Sequence, residues 1–169
     1  DTVLPDMRLH VPAWVNVENS VAALSIAYLL GLSEQELRTG MATFAGVYRR
    51  FNMHLNSQTV SYIDDYAHHP EELIASIQSV KKLFPLRKIL VAFQPHLYSR
   101  THDFAPGFAQ ALSLADSVLL LPIYPARELP IAGVTSQWLL SLISAETMSR
   151  VVEKTELVEH ISSIVSNWI

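Results

Sequence analysis

Asp64-Asp65-Tyr66-Ala67-His68-His69-Pro70 places two carboxylates and two imidazoles within six residues. Groups of these types can coordinate a metal, move protons near neutral pH, or grip a ribose and phosphates. They could also serve the fold alone, the aspartates capping a turn or the next helix and the imidazoles packing half-buried. A second polar stretch, Gln94-Pro95-His96-Leu97-Tyr98-Ser99-Arg100-Thr101, offers His96 and the Arg100 guanidinium. A guanidinium donates two parallel hydrogen bonds and so suits a carboxylate or phosphate. The spacing equally allows a surface ion pair from Arg100 to Asp103. The third stretch, Ile123-Tyr124-Pro125-Ala126-Arg127-Glu128, reads first as holding a local Arg127–Glu128 ion pair. Arg49-Arg50 could carry a phosphate contact or form a solvated pair at a domain hinge. Asn16 and Asn19 stand three apart and can share a helix face. Asn16 also fits a helix N-cap, whereas Asn19, in an apolar run, needs a partner for its amide.

These side chains need elements to hold them. Residues 1–12 read as a short extended segment. The apolar positions from Val17 to Leu30 predict a well-buried helix ended by Gly31. Ser33, with Glu36 three residues on, predicts a capped second helix that stops before Gly46. Arg50 to Leu55 and Thr59 to Asp64 predict two strands joined by a polar turn at Asn56-Ser57-Gln58. Pro70 opens a helix whose Leu73, Ile74, Ile77, Val80, Leu83 and Phe84 share one face. A strand over Lys88 to Phe93 follows, then a helix carrying Phe104, Phe108 and Leu112. Beyond it come a buried strand at Ser117 to Leu121, a helix near Thr135 to Ile143, a short strand at Val151-Val152 and a helix from Leu157 to Val165.

Apolar strands alternating with amphipathic helices predict an α/β domain: an open, mostly parallel Rossmann-like sheet with helices on both faces. It is expected over residues 47–169, with 1–46 as a short helical tail end of a preceding domain. Open α/β sheets bind ligands beyond the carboxyl ends of their strands. Parallel connectivity is therefore expected to bring the three polar stretches to one edge.

Composition excludes several other classes. The formal net charge is −4 and there is no basic run, which argues against a nucleic-acid partner held by phosphate neutralisation. The apolar runs fall well short of the ~20 residues of a membrane helix, so no membrane insertion is expected. No targeting signal is visible, and the cytoplasm is the default location. Absence of cysteine removes disulfides, thiolate metal sites and cysteine nucleophiles.

Several strings resemble the Mur ligases in order and spacing: Asn16-Val17-Glu18-Asn19-Ser20-Val21-Ala22-Ala23, Phe44-Ala45-Gly46-Val47-Tyr48-Arg49-Arg50-Phe51, and Asp64 to Pro70. Phe93 to Thr101 and Ile123 to Ile131 look like the branch that adds L-alanine to UDP-N-acetylmuramate. The related murein-peptide recycling branch has a different string at Gln94 to Ser99. The resemblance implies a ligase of peptidoglycan synthesis that activates a carboxylate with ATP and Mg²⁺ as an acyl phosphate, which the alanine amine then attacks. It implies that this domain works with N-terminal and central domains, the central one holding most of the ATP and Mg²⁺ contacts. By position, Asn16 and Asn19 would contact adenine, Arg50 the phosphates and Asp65 the ribose. His68 would act in catalysis near the phosphates or the incoming amine. His69, His96, Arg100 and Arg127 would bind substrate, with no residue of this chain as a metal ligand. Many relatives have Arg where Leu97 follows His96, which leaves the amino-acid carboxylate to Arg100 or Arg127. The glycines, Gly31, Gly40, Gly46, Gly107 and Gly133, cannot build a G-x-x-x-x-G-K-[ST] phosphate loop. The chain alone is therefore expected not to turn over. A small metal-dependent hydrolase using Asp64, Asp65, His68, His69 and His96 is the competing class.

Overall fold

A computed structural model describes residues 4–169. The chain divides into two compact units at the Tyr66–Ala67 junction. The expected extended segment falls partly on residues 1–3, outside the described residues; residues 4–12 form turns and bends rather than a strand.

The first unit contains α1 (Trp14–Leu29), α2 (Glu34–Thr43), β1 (Asn52–Asn56) and β2 (Ser61–Asp64). Gly31, at φ +87°, closes α1. Its N–H donates to the Tyr28 carbonyl and that of Leu32 to Ala27, which satisfies the carbonyls that a helix end leaves open. Ser33 and Glu36 cap α2 reciprocally, as their spacing predicts. The Ser33 hydroxyl and backbone hydrogen bonds hold the Glu36 carboxyl below its ordinary value. One expectation fails here. Trp14, Val17, Val21, Ile26 and Leu29 of α1 are exposed, so the helix is apolar without being buried. Its packing neighbour in the unit is α2, a polar helix whose one buried residue is Leu37. Hydrophobic composition predicts burial only where a neighbour supplies the covering surface.

The strands β1 and β2 form an antiparallel hairpin, from Asn52 opposite Asp64 to Asn56 opposite Ser61. The Ser57 hydroxyl secures the turn, accepting from Val60 N–H at 2.9 Å. The strand before the first polar stretch thus lies in a two-stranded sheet of its own. The expectation that parallel connectivity sets all three stretches on one sheet edge is corrected. A short turn can join only antiparallel neighbours, since a parallel return needs a crossover.

The second unit runs α3 (Pro70–Leu83), β3 (Leu90–Phe93), α4 (Tyr98–Asp103), α5 (Ala105–Leu112), β4 (Ser117–Leu120), α6 (Ser136–Leu140), β5 (Met148–Val151) and α7 (Leu157–Ser166). The three strands form a parallel sheet in the order β3-β4-β5. All four residues of the central β4 are buried. Successive side chains on a strand point to opposite faces, so both faces of the sheet are covered there. Val118 and Leu120 join a core with Leu73 and Ile77 of α3, Phe93, Phe108 and Leu112 of α5, and Leu139 of α6.

The helix expected to carry Phe104, Phe108 and Leu112 is two helices. Pro106, at the second position of α5, lacks an N–H, and its ring would collide with the carbonyl four residues back. The chain turns at Phe104 instead, leaving that ring 41% exposed. At the other end of the α3–α5 packing, a Cβ on Gly107 would lie 2.9 Å from Cγ of Pro70. A proline ring cannot swing aside. Gly107→Ala should therefore destabilise by on the order of 1 kcal/mol, overpacking outweighing the gain in helix propensity. Urea unfolding of the chain checks this, and a stabilised variant would contradict the close approach.

Candidate active-site rim

Beyond the carboxyl ends of β3 and β4 the two chains continue side by side. His96 pairs with Tyr124 in a single parallel bridge. Tyr124 N–H donates to the Pro95 carbonyl at 2.8 Å, and Leu97 N–H donates to the Tyr124 carbonyl at 2.9 Å. The His96 ring stacks on Tyr124 with centroids 5.3 Å apart. Gln94 ties the same segments through its amide, which donates to the Pro122 carbonyl at 3.1 Å. Leu97 takes φ +70°, a conformation unfavourable for a residue with a Cβ. Its carbonyl accepts the hydroxyl of fully buried Thr101 at 2.7 Å.

Neither ion pair suggested by spacing forms. Asp103 takes His102 at 2.9 Å rather than Arg100. Glu128 turns from Arg127 to Ser99, accepting its N–H at 2.9 Å and its hydroxyl. Those bonds, the hydroxyl first and then the N–H, hold the Glu128 carboxyl below its ordinary value against slight desolvation, with smaller contributions from the Tyr98 backbone and nearby His96. With the folded value lowered, the clamp is charged at neutral pH, and its contribution is lost only as the pH falls through that lowered value. Among the described residues no carboxylate pairs with Arg100 or Arg127. Two guanidinium groups on this rim keep their donors for another anion.

The His69-Pro70 end of the first stretch packs on the α4–α5 helices. The His69 ring meets Phe104 edge-on at 4.7 Å, and Pro70 abuts Gly107. Glu72 was not singled out from the sequence. Its carboxylate accepts the N–H of His68 at 2.9 Å and of His69 at 3.2 Å, and lies 3.3 Å from His68 Nδ1. The signal was available: once Pro70 marks the first helical position, Glu72 is the third, where an acid caps the helix. Tyr124 and Thr101 were likewise missed as supports, because their partners come from distant or strained backbone.

In the first unit, Arg49 at φ +59° turns the chain beside the hairpin, and its carbonyl accepts Tyr66 N–H at 2.7 Å. The guanidinium groups of Arg49 and Arg50 lie 5.0 and 5.6 Å from the Tyr66 ring centroid. Asp64 sits 3.8 Å from Arg49 and 3.9 Å from His54. No carboxylate pairs with Arg50, and no side chain bonds the Asp65 carboxylate, among the described residues. Asn16 lies in the first turn of α1 rather than at its cap, its amide donating to the Pro12 carbonyl. Asn19 is exposed, so its amide meets solvent and costs nothing. Among the described residues no three His, Asp or Glu gather as a metal site.

The chain thus has a parallel α/β sheet with His96, Arg100 and Arg127 beyond its strand ends, the two guanidinium groups lacking a carboxylate partner among the described residues. Residues 49–167 match the family model described as Mur ligase, glutamate ligase domain, and the chain belongs to the Mur ligase family. It is 51% identical over 160 residues to the UDP-N-acetylmuramate–L-alanine ligase of Parabacteroides distasonis, covering 95% of this chain and 34% of that protein. The ligase of the same name from Porphyromonas gingivalis is 50% identical, covering 94% and 34%. The chain thus spans about a third of the length of the curated relatives it matches. Among solved structures, the Thermotoga maritima UDP-N-acetylmuramate–alanine ligase superposes with TM-score 0.72 at 31% identity, covering 90% of this chain and 32% of that one. A murein peptide ligase from Psychrobacter arcticus gives 0.58 at 23% identity, covering 92% and 32%, and shares the fold. The recycling alternative is not favoured.

Proposed function

We propose that the chain is the C-terminal portion of an ATP-dependent carboxylate–amine ligase that joins L-alanine to UDP-N-acetylmuramate. The observation that carries this is the 51% identity, along almost the whole chain, to a ligase named for that pair of substrates. We take residues 1–46 as the tail of the central ATP-binding domain and 47–169 as the C-terminal domain. The donor set fits a nucleotide: Arg50 is a guanidinium without a carboxylate partner, and Asp65 is a carboxylate with open lone pairs for two ribose hydroxyls. Asn16 and Asn19 are assigned to adenine. No three carboxylate or imidazole groups converge among the described residues, and no Mg²⁺ ligand is assigned within this chain. That ion and the phosphate loop are assigned to the central domain.

ATP supplies the phosphoryl group that activates the muramoyl carboxylate. The part played by these residues is to orient and neutralise. Arg100 and Arg127 receive the alanine carboxylate, with His69 and His96 beside them. The Glu72 carboxylate orients the His68 ring through Nδ1, placing an imidazole where the amine proton must leave. In the full-length polypeptide, with UDP-N-acetylmuramate, ATP and Mg²⁺, phosphate release should depend on L-alanine, and the 169-residue chain alone should release none. Phosphate release by the full-length protein that ignores L-alanine would sink the assignment.

A further inference from the structure

The segment that carries His96 is held by backbone bonds, by the Gln94 amide and the His96–Tyr124 stack, and at the start of α4 by the Glu128 carboxylate. Glu128 lies 29 residues after Ser99 and engages both its N–H and its hydroxyl. It gets there because Ala126, at φ +51°, turns the chain, and the Glu128 N–H closes the turn on the Pro125 carbonyl at 2.9 Å. Arg127 is left exposed on the same turn. An acid so near His96, and adjacent in sequence to Arg127, would ordinarily neutralise them and compete with an incoming carboxylate. Here both oxygens are engaged by Ser99, and the two arginines keep their donors.

We propose that Glu128 is a positioning residue for the amino-acid site. Through Ser99 it locks the first turn of α4 to the loop after β4, fixing His96 and Arg100 relative to Arg127 while both its oxygens stay engaged by Ser99. Removing either partner has a defined consequence. Without Glu128, the first turn of α4 loses the side-chain link that Ser99 makes to the turn carrying Arg127. Without the Ser99 hydroxyl, one Glu128 oxygen is released to pair with a neighbouring cation and occupy the place meant for substrate.

This rests on the assignment of Arg100, Arg127 and His96 to the alanine carboxylate. The test uses the full-length ligase, with KM for L-alanine and for ATP measured separately beside the thermal midpoint. Glu128→Ala and Ser99→Ala should each raise KM for L-alanine on the order of tenfold, with KM for ATP and the midpoint close to wild type. Glu128→Gln, which keeps one acceptor oxygen, should fall between. The double variant should be no worse than Glu128→Ala, because both changes break one link. Ser99→Ala removes a single oxygen atom and carries the test if Glu128→Ala does not fold. An alanine KM within about twofold of wild type in the folded variants overturns the proposal, as does an equal rise in both KM values. A wild-type enzyme that does not respond to L-alanine indicts the functional assignment instead, so the two failures are distinguishable.

Discussion

Phe108→Ala is expected to destabilise the α/β unit by about 3–5 kcal/mol, the usual cost of emptying an aromatic-sized volume in a packed core. Phe108 is 1% exposed and packs against Phe93, with ring centroids 5.5 Å apart. It joins the helix layer, through α5, to the first strand of the sheet. The whole stability of a domain is about 5–15 kcal/mol, so this one change should consume much of it. For a unit of this size, the midpoint of thermal unfolding should drop by more than about 15 °C. Leu86, at 99% exposure, is the matched control, and Leu86→Ala should stay within about 0.5 kcal/mol. Circular dichroism melts of the chain read both. A Phe108→Ala loss below about 1 kcal/mol would mean that α5 is not seated on the sheet as described.

What the sequence revealed divides along a physical line. Local signals were readable. Ser33 and Glu36 stand at capping-box spacing, Gly31 supplies the left-handed residue a helix end needs, and Pro70 opens α3. The buried run of β4 announced a strand covered on both faces. Choices between distant partners were not readable in the same way. Thr59 to Asp64 carries exposed Tyr62 between half-buried neighbours, the pattern of a half-solvated hairpin strand rather than of a central parallel one. Treating it as a member of the parallel sheet gave a shared edge that the two separate sheets do not provide. What the structure shows instead is packing of the first stretch's last residues on the helices, His69 on Phe104 and Pro70 on Gly107.

The same division runs through the site. Arg127-Glu128 looked like an ion pair because the two residues are adjacent. The positive φ of Ala126, invisible in a string of letters, sends the carboxylate to Ser99 instead. Arg100 and Asp103 looked like a pair at helical spacing, but α4 gives Asp103 a nearer cation in His102. Both corrections release a guanidinium. The functional reading therefore gains from what sequence spacing misjudged, because a clamp for a substrate carboxylate must not already hold one from the protein.

Arg50→Ala should lower kcat/KM for ATP on the order of 100- to 1,000-fold in the full-length ligase, the usual cost of removing one donor aimed at developing charge. Arg49 and Arg50 both lie over the Tyr66 ring, yet they are not equivalent. Asp64 lies 3.8 Å from Arg49 and offsets its charge; Arg50 has no such partner among the described residues. Stacking on the ring restricts the long side chain before any ligand arrives, so less conformational entropy is lost on binding a phosphate. Arg49→Ala should consequently cost much less, about tenfold or below, mainly through a loosened turn. Arg50→Lys should recover only part of the loss, since an ammonium keeps the charge but neither the fork nor the stacking plane. Steady-state kinetics with ATP varied at saturating L-alanine distinguish these cases. If Arg49→Ala proved the more damaging of the two, the phosphate contact would have to be reassigned, and the Asp64 pairing would mark a resting arrangement that opens when nucleotide binds.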